Sequence, residues 1–272
     1  MRAPARRGRG QLSGTMKAVE EIGTHEELVA RCAADTLCLW AAQGLDGRSR
    51  AWRSADGRAV AVAAPGLSAR DRLAVYGPAG DAVALAGAVL DEVGPSYRPV
   101  GDRELIGAIV AAIPPLARVG TFGWMSCRRL AVLPPEPAGA GWLPGAALPE
   151  VAALLEASFP TSRARPGVAG AERWAGLRDG TGRLVATGTL AWSTPAVGLI
   201  SGVAVHPGAR GQGRGRDICA FLFAEAARCH EAVALMVEEW NHTAQRSYRD
   251  LGLRYQAVAA AAVPGAKQRS SP

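Results

Sequence analysis

The sequence predicts a mixed α/β (α+β) protein built from two units. Three observations carry this reading. Apolar runs of strand length alternate with longer stretches of helical period along the chain. A segment at 133–149 holds five Pro and three Gly and divides the chain near its middle. The length, 272 residues, suits one large domain or two small ones at roughly 150 residues each.

Residues 1–15 have no hydrophobic period and carry four Arg, so they read as a disordered basic tail. The first unit, 16–132, follows. Thr24-His-Glu-Glu27 has the form of a capping box and opens a helix to about Ala34. Ala59 to Ala64 and Arg72 to Tyr76 read as short strands. Asp81 is expected to cap a helix to Val93, and Asp102 another that Pro114-Pro115 stops. Thr121 to Val132 is strand-like.

After the linker at 133–149, the second unit runs from 150 to 263. It opens with a helix at 150–158 and an irregular loop at 160–170. Arg173 to Arg178 and Arg183 to Trp192 flank Asp179-Gly-Thr-Gly182, a hairpin with a short Gly turn. Val197 to Val205 is a long, nearly continuous apolar strand. A Gly-rich turn at 208–215 leads to a helix at 216–230. Strand Val233 to Glu238 runs into a helix at 241–251, and Gly252 stands where a helix end favours a left-handed residue. Leu253 to Val263 is the last strand, and 264–272 a second disordered tail. Both units contain a βαβα section at similar relative positions, which suggests a divergent duplication.

Composition excludes several function classes. Half the residues are hydrophobic (49%) and a fifth charged (20%), so the chain can build a core. The formal charge is +7, but the basic tails supply most of it and leave about +1 for residues 17–266. No basic nucleic-acid face is implied for the folded part. No apolar run reaches the roughly 18–20 residues of a membrane helix. Five Cys (32, 38, 127, 219, 229) without a C-x-x-C argue against a disulfide scaffold or a zinc site. They favour a reducing, cytoplasmic setting.

The stretch that carries chemistry is Val203-Ala-Val-His-Pro-Gly-Ala-Arg-Gly-Gln-Gly-Arg-Gly215. A strand ends at His206-Pro207 and a helix begins just after Gly215. The helix start offers unpaired N–H groups and the positive end of its dipole. Glycines at 211, 213 and 215 let a phosphate approach them, and Arg210, Arg214 and Arg216 add positive charge. No Lys is near, so this is not a Walker loop, and G-x-G-x-G is not the dinucleotide fingerprint. A second pattern lies downstream, where Asn241, Ala244 and Tyr248 share one helix face ahead of Leu251-Gly-Leu253. Each residue has a plainer reading when taken alone. The Gly-rich loop is then a surface turn, Asn241 a helix N-cap, Tyr248 a core aromatic, and Glu238 and Glu239 solvated charges. His206 reads as structural, Cys219 and Cys229 as core thiols, Trp174 and Trp192 as packing.

Together, R-x-x-G-x-G after an apolar strand and N-x-x-A-x-x-x-Y-x-x-x-L-G-L resemble the GNAT (N-acetyltransferase) superfamily over about 142–262. The resemblance implies a mixed, mostly antiparallel sheet flanked by helices. It also makes the first unit a candidate degenerate second copy, since some members of the family carry two such domains in tandem. It implies acetyl-CoA or another acyl-CoA as co-substrate, no metal, and a small-molecule or peptide amine as acceptor. The pyrophosphate would sit on Arg210, Gly211, Gln212, Gly213, Arg214, Gly215 and Arg216. The pantetheine would lie along Val203, Ala204 and Val205. Asn241, Ala244 and Tyr248 would complete the cofactor site. Val205 N–H would hold the oxyanion, and Tyr248 would protonate the leaving thiolate. A Glu found in some members five residues before the Asn is here Met236. Arg163 and Arg165 would suit an anionic acceptor if they are more than solvated charges. The two units would form an internal pseudo-dimer or assemble as a homodimer. The rival reading is a non-catalytic acyl-CoA-binding or protein-interaction module on the same fold.

Overall fold

The computed structural model describes residues 19–128 and 137–266. The tail expected at 1–15, residues 267–272 of the tail expected at 264–272, and linker residues 133–136 lie outside the described residues. The first lobe runs β1 (Glu20–Ile22), α1 (His25–Arg31), α2 (Thr36–Ala42), β2 (Arg50–Arg53), β3 (Val60–Ala64), β4 (Arg72–Tyr76), α3 (Ala79–Val93), β5 (Arg98–Asp102), α4 (Arg103–Ala112) and β6 (Ala117–Arg128). The second runs β7 (Ala140–Trp142), α5 (Leu148–Ser158), β8 (Trp174–Arg178), β9 (Leu184–Leu190), β10 (Val197–Val205), α6 (Arg214–Cys229), β11 (Ala232–Val237), α7 (His242–Asp250) and β12 (Arg254–Ala262).

Local chemistry explains most boundaries. Thr24 Oγ1 accepts the Glu27 N–H to start α1, and Asp102 Oδ1 accepts those of Glu104 and Leu105 to start α4. Asp81 is not the cap of α3: that helix starts earlier, after Pro78. Asp81 instead sits in the first turn, where its charge suits the dipole and pairs with Arg58 at 2.8 Å. Asp179 Oδ1 accepts from Thr181 and Arg183 and, with Gly182 at φ +85°, closes the β8–β9 hairpin. The segment read as a linker is partly structured, because Ala140–Trp142 pairs antiparallel with β8.

The twelve strands form one mixed sheet in the order β1-β2-β3-β4-β5-β12-β6-β11-β10-β9-β8-β7. Pairing is antiparallel except for β4 with β5 and β10 with β11. Each strand of the first lobe has a counterpart six strands later, and the order reads the same from either edge. The two lobes exchange their last strands: β12 lies between β5 and β6, and β6 between β12 and β11. The expected division at 133–149 therefore does not divide the sheet.

Helices cover both faces. α1 and α2 pack on one face over a core that includes Trp40, Val62, Trp124, Leu199 and Val258, drawn from both lobes. α3 and α4 cover the other face of the first lobe around Leu85, Ile106 and Ala259. α6 and α7 cover that of the second lobe around Phe223, Leu235 and Tyr248, and α5 packs with Trp174. No helix among the described residues is long and apolar enough to cross a membrane.

Candidate active site

The site forms where the parallel pair β10–β11 comes apart. Val197 to Ile200 are in register with Ala232 to Leu235. Beyond Ile200, β10 has no partner on that side, while β11 continues along β6 to Val237. On its other side β10 bulges against β9 between Ser201 and Ala204. Gly202 sits in the bulge at φ +60°, and a Cβ there would fall 2.8 Å from the Trp174 ring. Only glycine fits that backbone and that contact. Val203, Ala204 and Val205 thus border an opening with backbone polar groups free to pair with an extended ligand.

The Gly-rich loop closes one end of the opening. His206 caps the short turn after β10, accepting the Gly208 N–H on Nδ1 at 3.1 Å, so its role here is structural. Gly211 and Gly213 have φ of +75° and +80°, with open space where a Cβ would project. Gly213 precedes α6 and provides no side-chain cap, so the first N–H groups of the helix face that space. α6 starts at Arg214, two residues earlier than expected. Gly215 serves a different purpose: a Cβ there would stand 3.4 Å from Val205 Cγ2, so it lets the helix pack against the end of β10. Arg210 and Arg216 are exposed, Arg214 lies 3.8 Å from Asp217, and Gln212 donates to Gly208 O. A hollow of about 180 Å³ beside the loop is lined by Arg183, His206, Gln212 and Arg214 among others.

α7 follows the free end of β11 and packs against α6. Asn241 is its N-cap, with Oδ1 accepting the Ala244 N–H at 3.1 Å. Gln245, buried, donates to the carbonyls of Glu238 and Glu239 and fixes the turn from β11. Tyr248 is 9% exposed and packs against α6. Its side chain shares a core cluster with Cys219 of α6, a neighbour that spacing in the sequence does not reveal. Burial pushes Tyr248 well above the ordinary phenol value and Cys219 up to about 12. Cys219 is a core thiol as expected, but Cys229 is exposed. Trp174 is buried and Trp192 half-buried, and both ring N–H groups bond nearby carbonyls, so both pack. Glu239 accepts from Thr121 Oγ1 and pairs with Arg103, which ties it to the first lobe. Glu238 is exposed.

The first lobe does not repeat this arrangement. Only Gly77 and Pro78 separate β4 from α3, too short for a phosphate loop. β4 and β5 stay together to Val75 and Gly101, where a Cβ on Gly101 would lie 2.5 Å from Val75 O. A cleft of about 550 Å³ at the end of this pair is lined by Asp35, Tyr76, Asp102 and Gln256 among others.

Residues 150–253 match the Acetyltransferase (GNAT) family. No curated protein matches the chain. Among solved structures, a GCN5-related N-acetyltransferase from Sphaerobacter thermophilus is similar in fold, with 17% identity and a TM-score of 0.58. The match covers 91% of this chain and 95% of that one, so the likeness spans both lobes. A GCN5-related N-acetyltransferase from Kribbella flavida aligns over 77% of this chain and 88% of its own, with 15% identity and a TM-score of 0.52.

Proposed function

On the premise that the chain is a transferase carrying an acetyltransferase domain of the GNAT family at residues 150–253, we propose that it moves an acetyl group from acetyl-CoA to an amine. The attack is direct, in a ternary complex. The observation that carries this reading is the strand opening beyond Ile200 beside an uncapped, glycine-flanked helix start. An extended pantetheine pairs with an open strand edge, and a pyrophosphate suits bare helix N–H groups.

In this reading Gly211 to Arg216 hold the pyrophosphate, with Arg210 adding charge. Val203 to Val205 align the pantetheine, so the thioester carbonyl meets the Val205 N–H. That donor stabilises the oxyanion of the tetrahedral intermediate. The acceptor amine attacks as the free base, having lost its proton to water or a side chain. The intermediate collapses with release of the CoA thiolate, which Tyr248 protonates. Asn241 contributes by fixing α7, and Ala244 leaves room beside Tyr248. The β-strand exchange supports the two lobes being tandem copies that form an internal pseudo-dimer. The five free cysteines suit a cytoplasmic setting.

Amine-dependent release of the CoA thiol from acetyl-CoA tests the reaction. Release that saturates in both substrates is the expected result. Tight acetyl-CoA binding with no release for any amine would replace the enzyme with a binding module.

A further inference from the structure

We propose that Arg72, Arg98 and Arg163 form an oxyanion site at the junction of the lobes, and that the acceptor amine carries a carboxylate or phosphate held there. The inference rests on the acetyltransferase reading for its substrate role, but not for the anion site itself.

Arg72 opens β4 and Arg98 opens β5, and the two are register partners in the parallel pair. Their side chains therefore leave the same face of the sheet. Arg72 is only 7% exposed. Its Nε donates to Leu67 O at 3.0 Å, and its guanidinium lies 5.2 Å from the Trp40 ring centre, on the α2 face. Among the described residues, neither its terminal nitrogens nor the guanidinium groups of Arg98 and Arg163 have a hydrogen-bond or carboxylate partner. Arg163, exposed on the loop after α5, is close enough for its charge to act on Arg72 and to be acted on by Arg98. Burial and the proximity of Arg163 hold Arg72 down to about 10, and burial and Arg98 lower Arg163.

The nearby acids are otherwise engaged. Glu156 pairs with Arg165 at 3.2 Å, and Arg165 also donates to Ser162 O and Pro160 O. Glu172 accepts the Gly170 N–H. Asp71 accepts the Gly66 N–H on Oδ1, leaves Oδ2 buried without a partner, and makes no ion pair with the triad. Like charges drawn together in a partly desolvated place, without a counter-ion, are unfavourable until an anion joins them. Arginine forks suit the planar or tetrahedral oxygens of a carboxylate or phosphate.

The triad is linked to the proposed reaction centre from two sides. Ala164, next to Arg163, would stand 3.4 Å from a Cβ on Gly202, at the bulge that begins the open edge of β10. Trp40, under Arg72, donates its ring N–H to Trp192 O at 2.9 Å, in the turn that joins β9 to β10. An acceptor anchored on the triad thus has its amine end directed toward the opening. Of the two loop arginines considered from sequence, Arg165 is structural and Arg163 is available.

The test combines calorimetry with turnover, using the full chain. Inorganic phosphate and O-phosphoethanolamine are titrated into wild type, Arg163→Glu and Arg98→Gln. Both variants avoid the buried Arg72 and are checked for unchanged melting. Binding should weaken about 10- to 100-fold in each, the scale of a lost charge-assisted contact. Acetyl-CoA affinity should stay the same. Turnover of O-phosphoethanolamine against ethanolamine, and of β-alanine against β-alaninamide, should favour the anionic member about tenfold or more in wild type, and not in Arg163→Glu. The first pair reports phosphate, the second carboxylate. If neither probe binds, or the variants bind them as wild type does, the site is overturned. If the probes bind through the triad but both members of each pair react alike, the acceptor role is overturned. If they bind through the triad and acetyl-CoA does not bind, the site stands and the acetyltransferase reading falls.

Discussion

Deleting residues 254–272 is expected to abolish cooperative folding of both lobes, although it removes only the end of the chain. β12 is nine residues long and pairs on both sides, with β5 and with β6. Its loss leaves β5 paired only with β4 and β6 only with β11, opening a gap in the middle of the sheet, and removes Val258, Ala259 and Ala261 from two different cores. Each lost ladder bond costs about 1 kcal/mol and more where a buried group is left unpaired. With the apolar burial added, the loss exceeds the roughly 5–15 kcal/mol net stability of a folded protein. The matching control, deletion of 267–272, keeps the strand and should melt like the full chain. Circular dichroism through a thermal ramp distinguishes the two. A cooperative transition in the 254–272 deletion at the wild-type temperature would contradict the strand exchange.

Tyr248→Phe is expected to lower turnover by roughly 10²- to 10⁴-fold, the scale of a lost general acid. Acetyl-CoA affinity should change little. The structural cost is small, because the ring keeps its packing against α6 and only the hydroxyl is lost. Burial raises the phenol, so it stays protonated at neutral pH and is available as a donor. A CoA thiol has a pKa of about 8.5 in water by analogy with cysteine, below that phenol. Steady-state rates and a melting curve on the same preparation separate chemistry from stability. Near-full turnover in the variant would mean that the hydroxyl only packs against Cys219.

The parts legible in the sequence were those whose cause is local. Val197–Val205 is a continuous apolar run, and it forms that strand. The glycines at 211 and 213 are needed by their own backbone angles, so the loop could be read without the fold. α2 was not legible because all seven of its residues are buried, so it has no polar stripe and no helical period. β5 reads Arg-Pro-Val-Gly-Asp, the composition of a turn, and becomes a strand because β12 arrives beside it from the far end of the chain. Ala140–Trp142 was hidden by the prolines and glycines around it. Arg72, Arg98 and Arg163 are ordinary arginines in the sequence, and only the fold brings them together. Tyr248 and Cys219 are likewise on separate helices, so their proximity had no local signal.

The most direct measurement is calorimetric titration of acetyl-CoA into the full chain and into Gly213→Glu. Gly213 is at φ +80° with open space beside it, so a side chain there costs about 1–2 kcal/mol of backbone strain and leaves the core intact. Its carboxylate would occupy the space before α6 and repel a pyrophosphate. The account predicts binding at about micromolar strength in wild type, with at least roughly a hundredfold loss in a variant that still melts cooperatively. Absence of binding by folded wild type, or equal binding by the variant, would contradict the assignment of this loop as the acetyl-CoA site.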